Sequence, residues 1–188
     1  MKPEEVLSVL GIAEKLKCIT RHSDTSSGRR ESVAEHSWRL SLFAMLMADE
    51  FPEADINKVI KMCLIHDLGE AFTGDIATFC KTEADCEKEK RLFIGWIESL
   101  PDTASREFIS LYDEMEKCET EEAKLYKALD KLEAVIQHNE SDIKTWLPLE
   151  YDLQLTYGSA ETEFSDYLKR FKSHIDDWTK NKIATQGK

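Results

Sequence analysis

An all-α fold is predicted from two observations. Only seven glycines and four prolines interrupt the 188 residues, and apolar side chains recur at i, i+3, i+4 and i+7 along nearly every stretch between them, which leaves little room for a sheet. At 21.7 kDa the chain is long enough for a sizeable core. No Pro/Gly/Ser-rich linker divides it, so residues 1–188 read as one domain.

The first helix is expected over about 3–18, opened by Pro3, with Val6, Val9, Leu10, Ala13 and Leu16 facing inward. Residues 19–31 break the period with Thr, Ser, Asp and Gly and read as a loop. That loop gathers Arg21, His22, Arg29 and Arg30 in an otherwise acidic chain, so it is either an anion-binding segment or ordinary solvated charge. Ser32 and Glu35 form a capping box for a helix to about Asp49, which directs Val33, His36, Leu40, Phe43, Ala44 and Met47 to one face. His36 is thereby aimed at the core, as a hydrogen-bonded core residue or as a metal ligand.

The next helix carries the stretch that organises the chain, Cys63-Leu64-Ile65-His66-Asp67-Leu68-Gly69-Glu70. Ile56, Ile60, Cys63, Leu64 and Asp67 share one face, and Val59, Met62, His66 and Glu70 the adjacent one, so ionisable groups extend apolar stripes. An unpaired carboxylate there would cost about 3–5 kcal/mol, which calls for a cation, a hydrogen-bonded partner or a metal. A metal would satisfy His66 and Asp67 together. After Gly69 and Gly74 the segment 71–81, with Asp75, is expected to be irregular and to lie beside any such site.

Helices at about 83–99, capped by Thr82 and Asp85, and at 103–117 meet at Pro101. Phe93, Trp96 and Ile97 read as core or subunit interface. A longer helix, about 120–140, has the stripe Leu125, Leu129, Leu132 and Ile136. Periodicity alone leaves Asp130, at the border of that stripe, as one of 37 acids on a solvated face. Residues 141–158 are ambiguous. A last amphipathic helix over about 160–179 gathers Phe164, Tyr167, Leu168, Phe171, Ile175 and Trp178, and residues 181–188 are expected to fray.

A net charge of −12 and a pI near 4.9 argue against a nucleic-acid polymer as partner, because phosphate backbones are held by Lys and Arg. There is no apolar run near the roughly 18 residues that a span needs, and no leader pattern, so no membrane partner and a cytoplasmic location are expected. Five scattered cysteines without CxxC suggest buried reduced thiols. Dinucleotide-binding, P-loop, nucleophile-elbow and HExxH patterns are all missing from the sequence.

At Glu35-His36-Ser37-Trp38-Arg39, His66-Asp67-Leu68-Gly69-Glu70, Thr73-Gly74-Asp75-Ile76 and Ala128-Leu129-Asp130-Lys131-Leu132, the chain resembles HD-domain metal-dependent phosphohydrolases, and more narrowly their 5'-deoxynucleotidase-like branch. The likeness covers roughly residues 5–140, and it implies a compact helical bundle that acts as a homodimer on a small-molecule nucleotide. It further implies that His36, His66, Asp67 and Asp130 bind one divalent ion. Two imidazoles and two carboxylates suit Mn, Fe, Co, Ni or Zn better than Mg.

By the same resemblance Glu70 is the catalytic carboxylate, an acid or base for the attacking water or the leaving group, or else a hydrogen-bond partner of His66. Asp75 corresponds to an active-site acid that contacts a sugar hydroxyl or the water. Arg21 corresponds to the phosphate-binding arginine. His22 stands where the bacterial nucleotidase pattern has a Trp against the nucleoside, which bears on selection between deoxyribose and ribose. The implied activity is hydrolysis of (deoxy)nucleoside 5'-monophosphates. The rival readings are a hydrolase of another phosphorylated nucleotide (a diester, pyrophosphate or triphosphate) and a nonenzymatic module that keeps a metal for stability.

Overall fold

The computed structural model describes residues 1–187. Among these, three helices form the centre: α2 (Val33–Leu46), α3 (Ile56–Ile65) and α7 (Glu121–Glu140), each packed against the other two. Helix α1 (Pro3–Lys15) precedes them, a single turn α4 (Glu70–Thr73) follows α3, and the pair α5 (Glu83–Glu98) and α6 (Asp102–Lys117) fills the space before α7. A short 3₁₀ turn at Ile143–Thr145 leads to α8 (Glu150–Thr156) and α9 (Asp166–Gln186), and α9 packs on α7 and α8.

The helices begin where the sequence supplies caps. Ser32 Oγ accepts from Glu35 N while the Glu35 carboxylate accepts from Ser32 N, and Thr82 and Asp85 do the same for α5. Asp55, Thr120 and Ser165 each accept from the backbone N–H three residues on. Each such cap contributes about 1 kcal/mol. The core they frame is Val33, Leu40, Ala44, Val59, Met62, Cys63, Phe93, Ile97, Leu125, Leu129, Leu132 and Leu168. Burying each of the larger of these side chains stabilises the fold by about 1.5–3 kcal/mol.

Several expectations needed correction. Residues 19–31 are not a plain loop: β1 (Thr20–Asp24) and β2 (Arg30–Ser32) pair antiparallel, with Thr20 opposite Ser32 and Asp24 opposite Arg30. The turn closes through Thr25 N to Arg29 O at 2.7 Å, and Gly28 takes the left-handed conformation, φ +80°, that the turn requires. The ribbon forms because β1 has α7 to lie against, a tertiary contact invisible in a polar local sequence.

Helix α1 buries none of its own residues. Val6 and Leu10 are exposed, and only Leu16, just past its end, is buried. Leu64 is likewise exposed. The last helix starts and ends later than its apolar pattern suggests; Phe164 and Trp178 are 39% and 41% exposed, and Lys172, Thr179 and Lys182 are buried instead. The backbone continues helical to Gln186 rather than fraying at 181, and Lys188 lies outside the described residues. Of the five cysteines, all free, only Cys63 is buried; Cys18, Cys80 and Cys86 are exposed and Cys118 is half-buried. No helix among the described residues is long and apolar enough to cross a membrane.

Candidate metal centre and its cavity

His36 sits in the first turn of α2, fixed by the capping box and fully buried. Its Nδ1 bonds Glu133 of α7, and Glu133 also accepts from Arg39 Nε at 2.6 Å and from Arg21 Nη1 at 3.4 Å. Burial alone would raise the Glu133 carboxyl, but His36, Arg21 and Arg39 outweigh it and hold the pKa down at about 2. Arg21, on β1, is braced a second time by Glu31 at 3.4 Å. Its own burial works against the charge, and the two carboxylates more than restore it.

The helical path changes where α3 ends. His66 N still bonds Met62 O, but Leu68 and Glu70 bond three residues back rather than four, so residues 66–69 form tightened turns before α4. The sequence pattern therefore places His66 and Asp67 correctly near the core, although not on a continued α-helix. His66 Nδ1 lies 2.9 Å from Cys63 O. A carbonyl only accepts, so this nitrogen carries the hydrogen and Nε2 of the neutral ring is left with a lone pair.

Four donor atoms then converge. His36 Nε2 is 3.2 Å from His66 Nε2 and 3.2 Å from Asp130 Oδ1. His66 Nε2 is 3.0 Å from Asp67 Oδ2 and 3.7 Å from Asp130 Oδ1, and His36 Nε2 is 3.9 Å from Asp67 Oδ2. Two lone-pair nitrogens and two carboxylate oxygens at such separations repel one another unless a proton or a cation lies between them. Atoms bound about 2.0–2.2 Å from one ion stand roughly 3–3.5 Å apart, close to this spacing.

The protonation pattern points the same way. Burial and Arg21 would lower the His36 pKa, yet Glu133 and Asp130 bring it up to about 9, the response of a ring surrounded by anions that attract positive charge. Asp67, despite burial, is held below the usual carboxylate range by His66 and His36. Asp130 is lowered too, against its burial, by the hydrogen bond from His36 and the charges of His66 and Lys127. The donor set therefore fits a divalent ion, with His36 and His66 oriented through their other ring nitrogens as metal-binding histidines are.

Arg21, His66, Asp67, Glu70, Asp75 and Asp130 line one cavity of about 450 Å³. His36 lies buried behind it, and His22 lines only a smaller adjoining cavity that shares Arg21 and Asp75 as a wall. Glu70 is 4% exposed, and its Oε2 has no hydrogen-bond partner. Burial, then the charges of Asp67, Asp75 and Glu89, push its pKa up to about 10. No hydrogen bond joins Glu70 to His66 among the described residues. Asp75 is raised by its burial and by Asp67, with Arg21 pulling the other way.

No sequence pattern marks Glu31, Arg39 or Glu133 as a site residue on its own. Tyr126, Asp130, Glu133 and Gln137 follow one another at i, i+4, i+7 and i+11, a polar stripe beside the leucine stripe of α7. That stripe was the available signal for both Asp130 and Glu133.

A His on one helix, a His-Asp pair at the end of the next and an Asp on a third are the arrangement of the HD-domain family, to which this chain belongs. The HD domain profile matches residues 13–172. The 5'-deoxynucleotidase HDDC2 of Dictyostelium discoideum is 34% identical over 178 residues, spanning 89% of this chain and 93% of that one. The 5'-deoxynucleotidase YGK1 of Saccharomyces cerevisiae is 31% identical, spanning 92% of this chain and 82% of that one. The solved structure of a predicted metal-dependent phosphohydrolase from Magnetospirillum magnetotacticum MS-1 superposes with a TM-score of 0.79 at 29% identity, covering 95% of this chain and 93% of that one.

Proposed function

We propose that this protein is a metal-dependent phosphomonoesterase that hydrolyses deoxynucleoside 5'-monophosphates to nucleoside and phosphate. The observation that carries this reading is the convergence of His36, His66, Asp67 and Asp130 at the edge of a cavity that Arg21 and the buried Glu70 also line. The names of the relatives, which span nearly the whole chain, favour this substrate over other phosphorylated nucleotides.

In this reading the four residues hold one divalent ion, and Mn, Fe, Co, Ni or Zn suits their nitrogen and oxygen donors better than Mg. When bound, the ion supplies Lewis acidity, lowering the pKa of a water and polarising a phosphoryl oxygen. Arg21, preset by Glu31 and Glu133, presents a planar fork to the phosphate and offsets its charge in an acidic protein. In-line attack on phosphorus breaks the bond to the 5'-oxygen, which needs a proton as it leaves. Burial and the neighbouring Asp67, Asp75 and Glu89 favour the protonated Glu70 carboxyl, and in this reading Glu70 gives that proton. Asp75 accepts a hydrogen bond from a sugar hydroxyl or orients the water, and His22 borders the nucleoside. A single domain, a homodimer and a cytoplasmic location complete the proposal.

The test is a phosphate-release panel over ribo- and deoxynucleoside mono-, di- and triphosphates with Mn, Co, Ni and Zn. Release from deoxynucleoside monophosphates is expected. Release from triphosphates but not monophosphates would overturn the substrate, and nucleotide binding without release under every metal would leave only a binding module.

A further inference from the structure

A second convergence of donors lies outside the centre described above. His22 of β1, His138 of α7 and Glu150 of α8 each offer one atom, and these atoms all lie within 4.8 Å of one another. His138 Nε2 is 2.9 Å and His22 Nε2 is 3.2 Å from the same oxygen, Glu150 Oε1. We propose that these three side chains form a second transition-metal site, of the zinc class, with a ligand set separate from that of the four-residue centre.

The groups around the cluster prepare it for an ion. His138 Nδ1 lies 3.0 Å from Ala134 O; that carbonyl can only accept, so Nδ1 carries a hydrogen and Nε2 is the ring atom turned to Glu150, bare unless a second proton occupies it. His66 is oriented by the same device, through Cys63 O. The second Glu150 oxygen accepts the Leu147 N–H at 2.6 Å, which leaves Oε1 for the two imidazoles. Glu150 is almost wholly buried, and the edge contact of His22 with Phe79, rings 5.3 Å apart, holds the other ring in place. A nitrogen lone pair 2.9 Å from a carboxylate oxygen needs a positive charge between them.

Two histidines and one glutamate make a three-ligand zinc set, and atoms about 2.0–2.2 Å from a tetrahedral ion stand roughly 3.3 Å apart. All three side chains line the small cavity of about 70 Å³, where Arg21 and Asp75 form the wall shared with the first centre. A water or a nucleotide donor atom would complete the shell there. The competing occupant is a proton on one of the imidazoles.

The two occupants are separated by counting metal. Stripped protein is titrated with Zn²⁺ by calorimetry, with elemental analysis after gel filtration, for the wild type, Asp67→Ala, His138→Ala, His22→Ala and Asp67→Ala/His138→Ala. Two equivalents in the wild type, one in each single variant and none in the double variant are expected, with circular dichroism melts reporting the fold. His22→Ala, on a half-exposed strand position, decides the matter if His138→Ala does not fold. A count, whether one equivalent or two, that His138→Ala and His22→Ala leave unchanged overturns the second site. The count of Asp67→Ala bears on the first site alone, so either can fail without the other.

Discussion

Replacing Glu70 by Gln should make the protein more stable while it abolishes turnover. The carboxyl is 4% exposed and one oxygen has no partner, while burial and the charges of Asp67, Asp75 and Glu89 bring its pKa from about 4.5 to about 10. Between those two values the unfolded chain has released a proton that the folded protein still holds. Stability therefore falls as pH rises across that window, by about 1.4 kcal/mol per pH unit. By pH 7 the loss amounts to about 3 kcal/mol, and an amide of the same shape escapes it. Urea unfolding of the metal-stripped proteins at several pH values provides the assay. Glu70→Gln should match the wild type near pH 4.5 and exceed it by about 3 kcal/mol at pH 7, with metal binding kept and phosphate release lost. A stability gap that does not change with pH, or full turnover in the variant, would refute the reasoning.

Other perturbations separate the parts of the site. Glu133→Gln removes the charge that orients His36 and braces Arg21 and Arg39, and calorimetry should show metal affinity reduced about 10–100-fold. Arg21→Ala should raise KM for the nucleotide about 10–100-fold, and Arg21→Lys should restore little of it, because a point charge lacks the guanidinium fork; steady-state kinetics decide. Phe93→Ala empties a site packed by Trp96 and Tyr112 and should cost about 3–5 kcal/mol in chemical denaturation without changing metal stoichiometry.

Helix positions were legible in the sequence because their caps and apolar stripes are local signals; Ser32/Glu35 and Thr82/Asp85 open helices where their spacing says they should. The ribbon at 20–32 was not legible, since its strands are polar and α7, against which β1 lies, is distant in sequence. Periodicity also misjudged α1 and α9, where apolar residues such as Leu10 and Trp178 stay exposed while Lys172 is buried through a bond to Leu155 O at 3.2 Å. At the site, His36, His66 and Asp67 stood out as ionisable groups on apolar faces. Asp130 did not, because a carboxylate at the edge of a stripe has the same pattern as a solvated one, and only the family resemblance raised it. Glu133 escaped notice for the same reason, although its spacing from Asp130 puts both on one face of α7.

Asp130 is consequently where the account is most exposed to test. Anomalous diffraction from crystals grown with Mn²⁺ or Co²⁺ would locate the bound ion directly. A peak bounded by His36 Nε2, His66 Nε2, Asp67 Oδ2 and Asp130 Oδ1, at about 2.0–2.3 Å from each, is the predicted result. A peak without Asp130 in its shell, or no peak between the two imidazoles, would contradict it.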